Sequence, residues 1–177
     1  GAKPFLFFTI LATCEPGDEV IYPDPGFPIY ESAIRWVGAT PVPLALREEL
    51  GFSFALEDLE AGLSERTKLV ILNSPQNPTG GVTPAGDLAA AADLILRTKA
   101  WVLTDEVYAR LTYGDAFASI ATEDGMLERT VLLDGFSKTY AMTGWRLGYA
   151  ALPEALVEPI TRLLINSVSC TAPAIQL

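Results

Sequence analysis

Lys138 stands in the stretch DGFSKTYAMTGWRLGY, residues 134–149, directly after the apolar run Thr130-Val131-Leu132-Leu133. A lysine amine delivered to the carboxyl end of a buried strand can form a Schiff base with an aldehyde, provided partial desolvation lowers its pKa. Arg146, eight residues later, offers a bidentate guanidinium fork suited to a phosphate. Two more apolar runs end in the same way: LVIL leads into NSPQNPTG with Asn77, and WVLT into DEVY with Asp105 and Tyr108. Ligands of open parallel sheets sit beyond the carboxyl ends of the strands, so Asn77, Asp105, Tyr108 and Lys138 are expected on one rim. A carboxylate opposite a pyridine nitrogen keeps that nitrogen protonated and makes the ring an electron sink. A tyrosine hydroxyl and an asparagine amide can hydrogen-bond a phenolate oxygen. Together these groups describe a site for pyridoxal phosphate.

Each residue alone also has a plainer reading. Asp105 could cap a helix, Tyr108 fill a core, Asn77 make a turn, and Lys138 stand in solvent. Arg146 could belong to a structural salt bridge. Convergence on one rim is what favours the chemistry. The phosphate has a second candidate clamp in Gly1-Ala2-Lys3-Pro4, which opens a helix whose free N–H groups and dipole attract anions. Ser137 could add a hydroxyl.

The elements that must position these groups alternate between strand and helix, which predicts a mostly parallel sheet covered on both faces, a three-layer α/β/α arrangement. Helices are expected over 3–13, 30–37 and 56–63, and from Pro153 onward with Leu156, Ile160, Leu163 and Leu164 on the apolar side. Another is expected from Thr83 as N-cap and Pro84 at the first helical position to about Thr98. Strands are expected over 19–22, 40–44, 68–72, 100–104 and 130–133. No repeat, low-complexity tract or linker interrupts the chain, so residues 1–177 are expected to form a single domain.

Composition narrows the function. Half of the 177 residues are hydrophobic, a globular composition, and the net charge of -10 with no basic cluster argues against nucleic acid or anionic lipid as partner. The chain has no histidine, which excludes a Ser-His-Asp triad, a His-based zinc site and a histidine base; no metal site is expected. Cys14 and Cys170 form no CxxC pair and are expected to be buried free thiols in a reducing, cytoplasmic compartment. The apolar run over 5–12 is too short to span a bilayer and lacks the flanks of a secretory signal, so a core helix is expected there.

NPTGG, TDEVYARL and SKTYAMTGWRLGY, with GDEVIYPDPGFPIYES before them, together resemble the class I/II pyridoxal-phosphate aminotransferases, the aspartate aminotransferase fold family. The resemblance runs from GAKP along nearly the whole chain. It implies the large domain of the fold type I pyridoxal-phosphate enzymes and transamination between an amino acid and a 2-oxo acid. By resemblance Lys138 carries the Schiff base and shuttles the proton, and Asp105 pairs with the pyridine nitrogen. Tyr108 and Asn77 bond the phenolic oxygen, Arg146 binds the phosphate with the backbone at Gly1, Ala2 and Lys3, and Phe27 stacks on the ring or is a plain core phenylalanine. Trp145 and Gly144 are assigned to packing. Where some family members carry a phosphate-binding serine, this chain has Gly135, so Ser137 or backbone must compensate. The family's amino-terminal arm and its small domain, with the arginine for the substrate carboxylate, have no counterpart here, which implies a piece of a longer, homodimeric enzyme. Two other readings stay open: a β-elimination lyase or cyclopropane-forming synthase on the same fold, and the cofactor-sensing domain of a transcription regulator.

Overall fold

The computed structural model describes residues 1–114 and 117–176. The chain opens with helix α1 (Lys3–Thr13), then strand β1 (Glu19–Asp24), α2 (Ile29–Trp36), β2 (Thr40–Arg47), β3 (Ser53–Phe54) and α3 (Leu56–Gly62). It continues through β4 (Thr67–Asn73), α4 (Ala85–Leu96), β5 (Trp101–Asp105), β6 (Thr130–Gly135), the one-turn α5 (Phe136–Thr139), β7 (Gly148–Ala151), α6 (Glu154–Ile165) and α7 (Pro173–Gln176). The strands form one seven-stranded sheet in the order β3-β2-β1-β4-β5-β6-β7. The five central strands are parallel, and β3 and β7 run antiparallel at the two edges.

Period-two alternation explains the layers. Val20, Leu69, Ile71, Leu103 and Val131 pack with Leu6 and Ile10 of α1, Ile34 of α2 and Ile160 of α6. Their sequence neighbours Ile21, Val70, Leu72 and Val102 pack on the other face with Leu59 of α3 and Leu88 and Ile95 of α4. Both faces of the central strands are therefore buried, which is why they read as continuous apolar runs. The fold is the α/β architecture expected.

Register then sets the site. Asn73 pairs with Asp105 across β4 and β5, and Asp105 pairs with Leu133 across β5 and β6. One row thus crosses three strands at their carboxyl edge. Asn77, Tyr108 and Lys138 follow it within a few residues.

Several local expectations are corrected. Thr83 does not cap α4: its side chain makes no cap hydrogen bond, its N–H is taken by Ser74 Oγ at 3.0 Å, and the extended Pro84 occupies the cap position. The helix also stops at Leu96, short of Thr98. Pro23 and Asp24, beyond the strand expected over 19–22, extend β1, and β2 runs on past 44 to Arg47. The antiparallel edges β3 and β7 had no strand assigned, the first being two residues long and the second lying inside the glycine-bearing GWRLGY stretch. Cys14 is buried as expected, but Cys170, beyond the end of α6, is exposed. Trp145 is 49% exposed and a Cβ on Gly144 would meet nothing within 4 Å, so neither packs as expected within this chain.

Candidate active site

Asn73 organises the end of β4. Its buried amide donates through Nδ2 to the Asp105 carbonyl at 2.9 Å and the Pro75 carbonyl at 3.2 Å, and its Oδ1 accepts from the Asn77 N–H at 2.9 Å. One side chain therefore ties β4, β5 and the Asn77 loop together. Gln76 Nε2 donates to the Pro25 carbonyl at 2.7 Å, which fixes the loop carrying Phe27 to the same edge.

Asp105 ends β5 and is buried. Its Oδ2 accepts from the Tyr30 hydroxyl at 2.9 Å, while the nearest donor to Oδ1 is the Val107 N–H at 3.4 Å. No helix follows, so Asp105 is not a helix cap. Burial pushes its carboxyl above the usual carboxylate range, opposed by the hydrogen bond from Tyr30. Desolvation beside Asp105 raises the Tyr30 phenol well above its ordinary value, so Tyr30 remains a donor. The neighbouring Glu106 is not part of this wall. Its Oε1 accepts from Thr104 at 3.0 Å and Ser119 at 2.5 Å, and burial pushes its carboxyl up to about 7.

Lys138 sits on α5, the single turn after β6, and is exposed in this chain. Its Nζ lies 5.4 Å from the centre of the Tyr108 ring, so the amine and the phenol share one side of the cleft. Gly135 is tightly enclosed: a Cβ there would stand 3.2 Å from Gly148 Cα and 3.4 Å from the Leu147 carbonyl. A serine at this position would crowd the β6–β7 pair, which accounts for the glycine.

Arg146 adopts a left-handed backbone with φ of 54°. Its Nη1 donates to the Thr143 carbonyl at 2.7 Å, and among the described residues it forms no salt bridge. Gly1 N donates to the Arg146 carbonyl. A Cβ on Gly1 would stand 2.7 Å from Arg146 Nη2, and one on Gly148 would stand 2.5 Å from Ala2 N. The start of α1 is thus held against β7 by a backbone contact that only glycine at position 148 permits, with the Arg146 guanidinium, a side-chain end that can move, packed beside Gly1. Lys3 Nζ lies 5.2 Å from the centre of the Phe27 ring.

All ten residues singled out in the sequence, Gly1, Ala2, Lys3, Phe27, Asn77, Asp105, Tyr108, Ser137, Lys138 and Arg146, line one cleft of about 250 Å³. Leu6, Val107, Leu133, Gly135 and Thr143 complete its wall. Two contributors were missed. Tyr30 reads in the sequence only as the first residue of the helix over 30–37, and nothing local signals its bond to a residue 75 positions away. Asn73 was visible as the first residue of NSPQNPTG, but a loop rich in breakers hides a buried bridging amide.

The chain is similar to known proteins along its whole length. It is 42% identical over 174 residues to the putative aminotransferase YugH of Bacillus subtilis, covering 98% of this chain and 45% of that protein. It is 41% identical over 171 residues to a probable aspartate/prephenate aminotransferase of Aquifex aeolicus, covering 96% and 43%. Among solved structures, the aromatic aminotransferase of Pyrococcus horikoshii superposes with a TM-score of 0.96 at 37% identity, over 99% of this chain and 47% of that one. The Thermus thermophilus aspartate aminotransferase with maleate superposes with a TM-score of 0.94 at 33% identity, over 99% and 46%. The chain therefore spans about half the length of the relatives it matches. The model of the family "aminotransferase class I and II" matches residues 1–176, and the chain belongs to that family.

Proposed function

We propose that this chain is the cofactor-binding large domain of a longer pyridoxal-phosphate aminotransferase, which moves an amino group between an amino acid and a 2-oxo acid. The observation that carries this reading is the convergence of an amine, a buried carboxylate, a phenol, an amide and a guanidinium that joins no salt bridge among the described residues, all on one cleft. The donor set fits the cofactor, because each group has a complementary partner on it. The glycine-lined approach of Ala2 to β7 beside Arg146 further suits a phosphate cradle.

When bound, the cofactor supplies an aldehyde for the amine and a protonated ring that withdraws electrons from the substrate α-carbon. Lys138 is the residue whose amine would hold the cofactor's aldehyde and would move a proton at the substrate α-carbon. Asp105 holds the proton on the ring nitrogen. Tyr108 and Asn77 donate to the phenolic oxygen. Arg146, Ser137 and the N–H groups at the start of α1 hold the phosphate, and Phe27 covers the ring. The whole enzyme is proposed to work as a homodimer in the cytoplasm. The names of its relatives point to acidic or aromatic amino acids as donors.

The test is reduction with borohydride in the presence of pyridoxal phosphate, followed by peptide mapping. A single label on Lys138, competed by excess amino acid, is the expected result. Labels scattered over other lysines, or none in the whole enzyme, would remove the assignment.

A further inference from the structure

We infer that Tyr30 is a positioning residue that keeps Asp105 ionised and holds its carboxylate toward the cleft. Tyr30 lies on α2, outside the cleft wall, and is fully buried, yet its hydroxyl donates to Asp105 Oδ2 at 2.9 Å. A buried phenol needs a hydrogen-bond partner. Here that partner is the one carboxylate that lines the cleft among the described residues. The bond occupies Oδ2 and leaves Oδ1, with only a 3.4 Å approach from Val107 N–H, as the less engaged oxygen.

Burial sets the energetics of Asp105. A carboxyl as enclosed as that of Asp105 favours its neutral form, and a neutral acid could not hold a proton on a ring nitrogen. A neutral O–H donor stabilises the ionised form without bringing a competing positive charge beside the ring. A lysine or arginine in its place would repel a protonated pyridine. Among the described residues, Asp134 disfavours its ionisation from β6, the neighbouring Glu106 is a second buried carboxyl that repels it when ionised, and Tyr30 is its side-chain hydrogen-bond donor. Tyr30 is itself clamped by core packing with Ile34 and an edge-to-face contact with Phe27 at 5.9 Å between ring centres. The same helix start therefore places both the proposed ring-covering aromatic and the donor to Asp105.

The purpose of this arrangement rests on the cofactor reading above, but its test does not. In the whole protein, free of cofactor, the Asp105 carboxyl can be followed through pH by the carbon resonance of labelled aspartate, with Asp105→Asn to assign the signal. Tyr30→Phe keeps the ring and removes the donor. It should raise the Asp105 pKa by about one unit, the size expected for a hydrogen bond to a charged group. Replacing Tyr30 alone with 3-fluorotyrosine, a stronger donor of nearly the same volume, should lower it, and so covers the case in which the phenylalanine variant does not fold. An unchanged titration in the fluorinated protein, or in a folded Tyr30→Phe variant, overturns the inference. With cofactor added, Tyr30→Phe should also raise the pKa of the bound chromophore. A shifted Asp105 titration without any cofactor on Lys138 would retain Tyr30 as the positioning residue and reject the functional reading instead.

Discussion

Lys138 and Asp105 face the same cleft but answer different questions, and replacing them should separate binding from turnover. Lys138→Ala removes the only amine the proposal uses for the covalent bond. Borohydride should then fix no cofactor to the protein, while far-UV circular dichroism stays that of the parent, because an exposed residue carries little packing. Asp105→Ala should still permit trapping on Lys138 but lower kcat in the whole enzyme by at least about 100-fold, the scale on which a preorganised charge acts. Transamination at the parent rate in that variant would cancel the role given to Asp105. The plain readings of these residues are also decided by geometry. Asp105 caps no helix and Arg146 joins no salt bridge among the described residues, so neither has the structural employment that its residue type suggested. Residue types at strand ends made the cleft legible in the sequence. Tyr30 and Asn73 were not, because a buried hydrogen bond across 75 or 32 positions leaves no local pattern.

At the scale of elements, long buried strands and strongly periodic helices were readable and edges were not. The helix over 3–13 and the central strands carry enough apolar residues to stand out as continuous runs, and the helix from Pro153 declares its period. β7 does not: GYAA has three small residues and alternates between exposed and half-buried, and its pairing with β6 comes from a tertiary contact. That contact is tight. A Cβ on Gly148 would meet Ala2 N at 2.5 Å and Gly1 C at 2.7 Å, both backbone atoms that cannot rotate away. Gly148→Ala should therefore push the start of α1 off β7, costing about 1–3 kcal/mol and weakening pyridoxal phosphate binding at least tenfold. Gly144→Ala, only four positions away but in open space, should change the free energy of unfolding by less than about 0.5 kcal/mol. Isothermal titration and denaturant unfolding of the two variants side by side test the pair. Equal effects from both would mean that the close approach of α1 to β7 does not build the phosphate end.

For the molecule as a whole, net charge and layering were set by composition and pattern, but the pH range in which the fold is stable depends on burial that no composition reports. The chain carries 22 acidic residues against 12 basic ones, and most acidic side chains are on the surface, where water and salt screen them. Glu106 is different. It is 5% exposed, held by Thr104 and Ser119, and its carboxyl is pushed up from an ordinary 4.5 to about 7 by desolvation. The sign of the consequence follows from proton binding. Between about pH 4.5 and 7 the folded state holds a proton on Glu106 that the unfolded chain has released, so this residue's contribution to stability falls as pH rises through that window and levels off above it. Ionising Glu106 in place thus costs the folded protein on the order of 1–3 kcal/mol at pH 8. Glu106→Gln keeps the shape and an oxygen to accept from Thr104 and Ser119, and it cannot ionise. The variant should match the parent near pH 5 and exceed it by that amount near pH 8, read as the difference between the two stability profiles so that every other titrating group cancels. A difference profile that is flat from pH 5 to 8 would show that Glu106 is ionised without penalty, and that the segment carrying Ser119 lets water reach it.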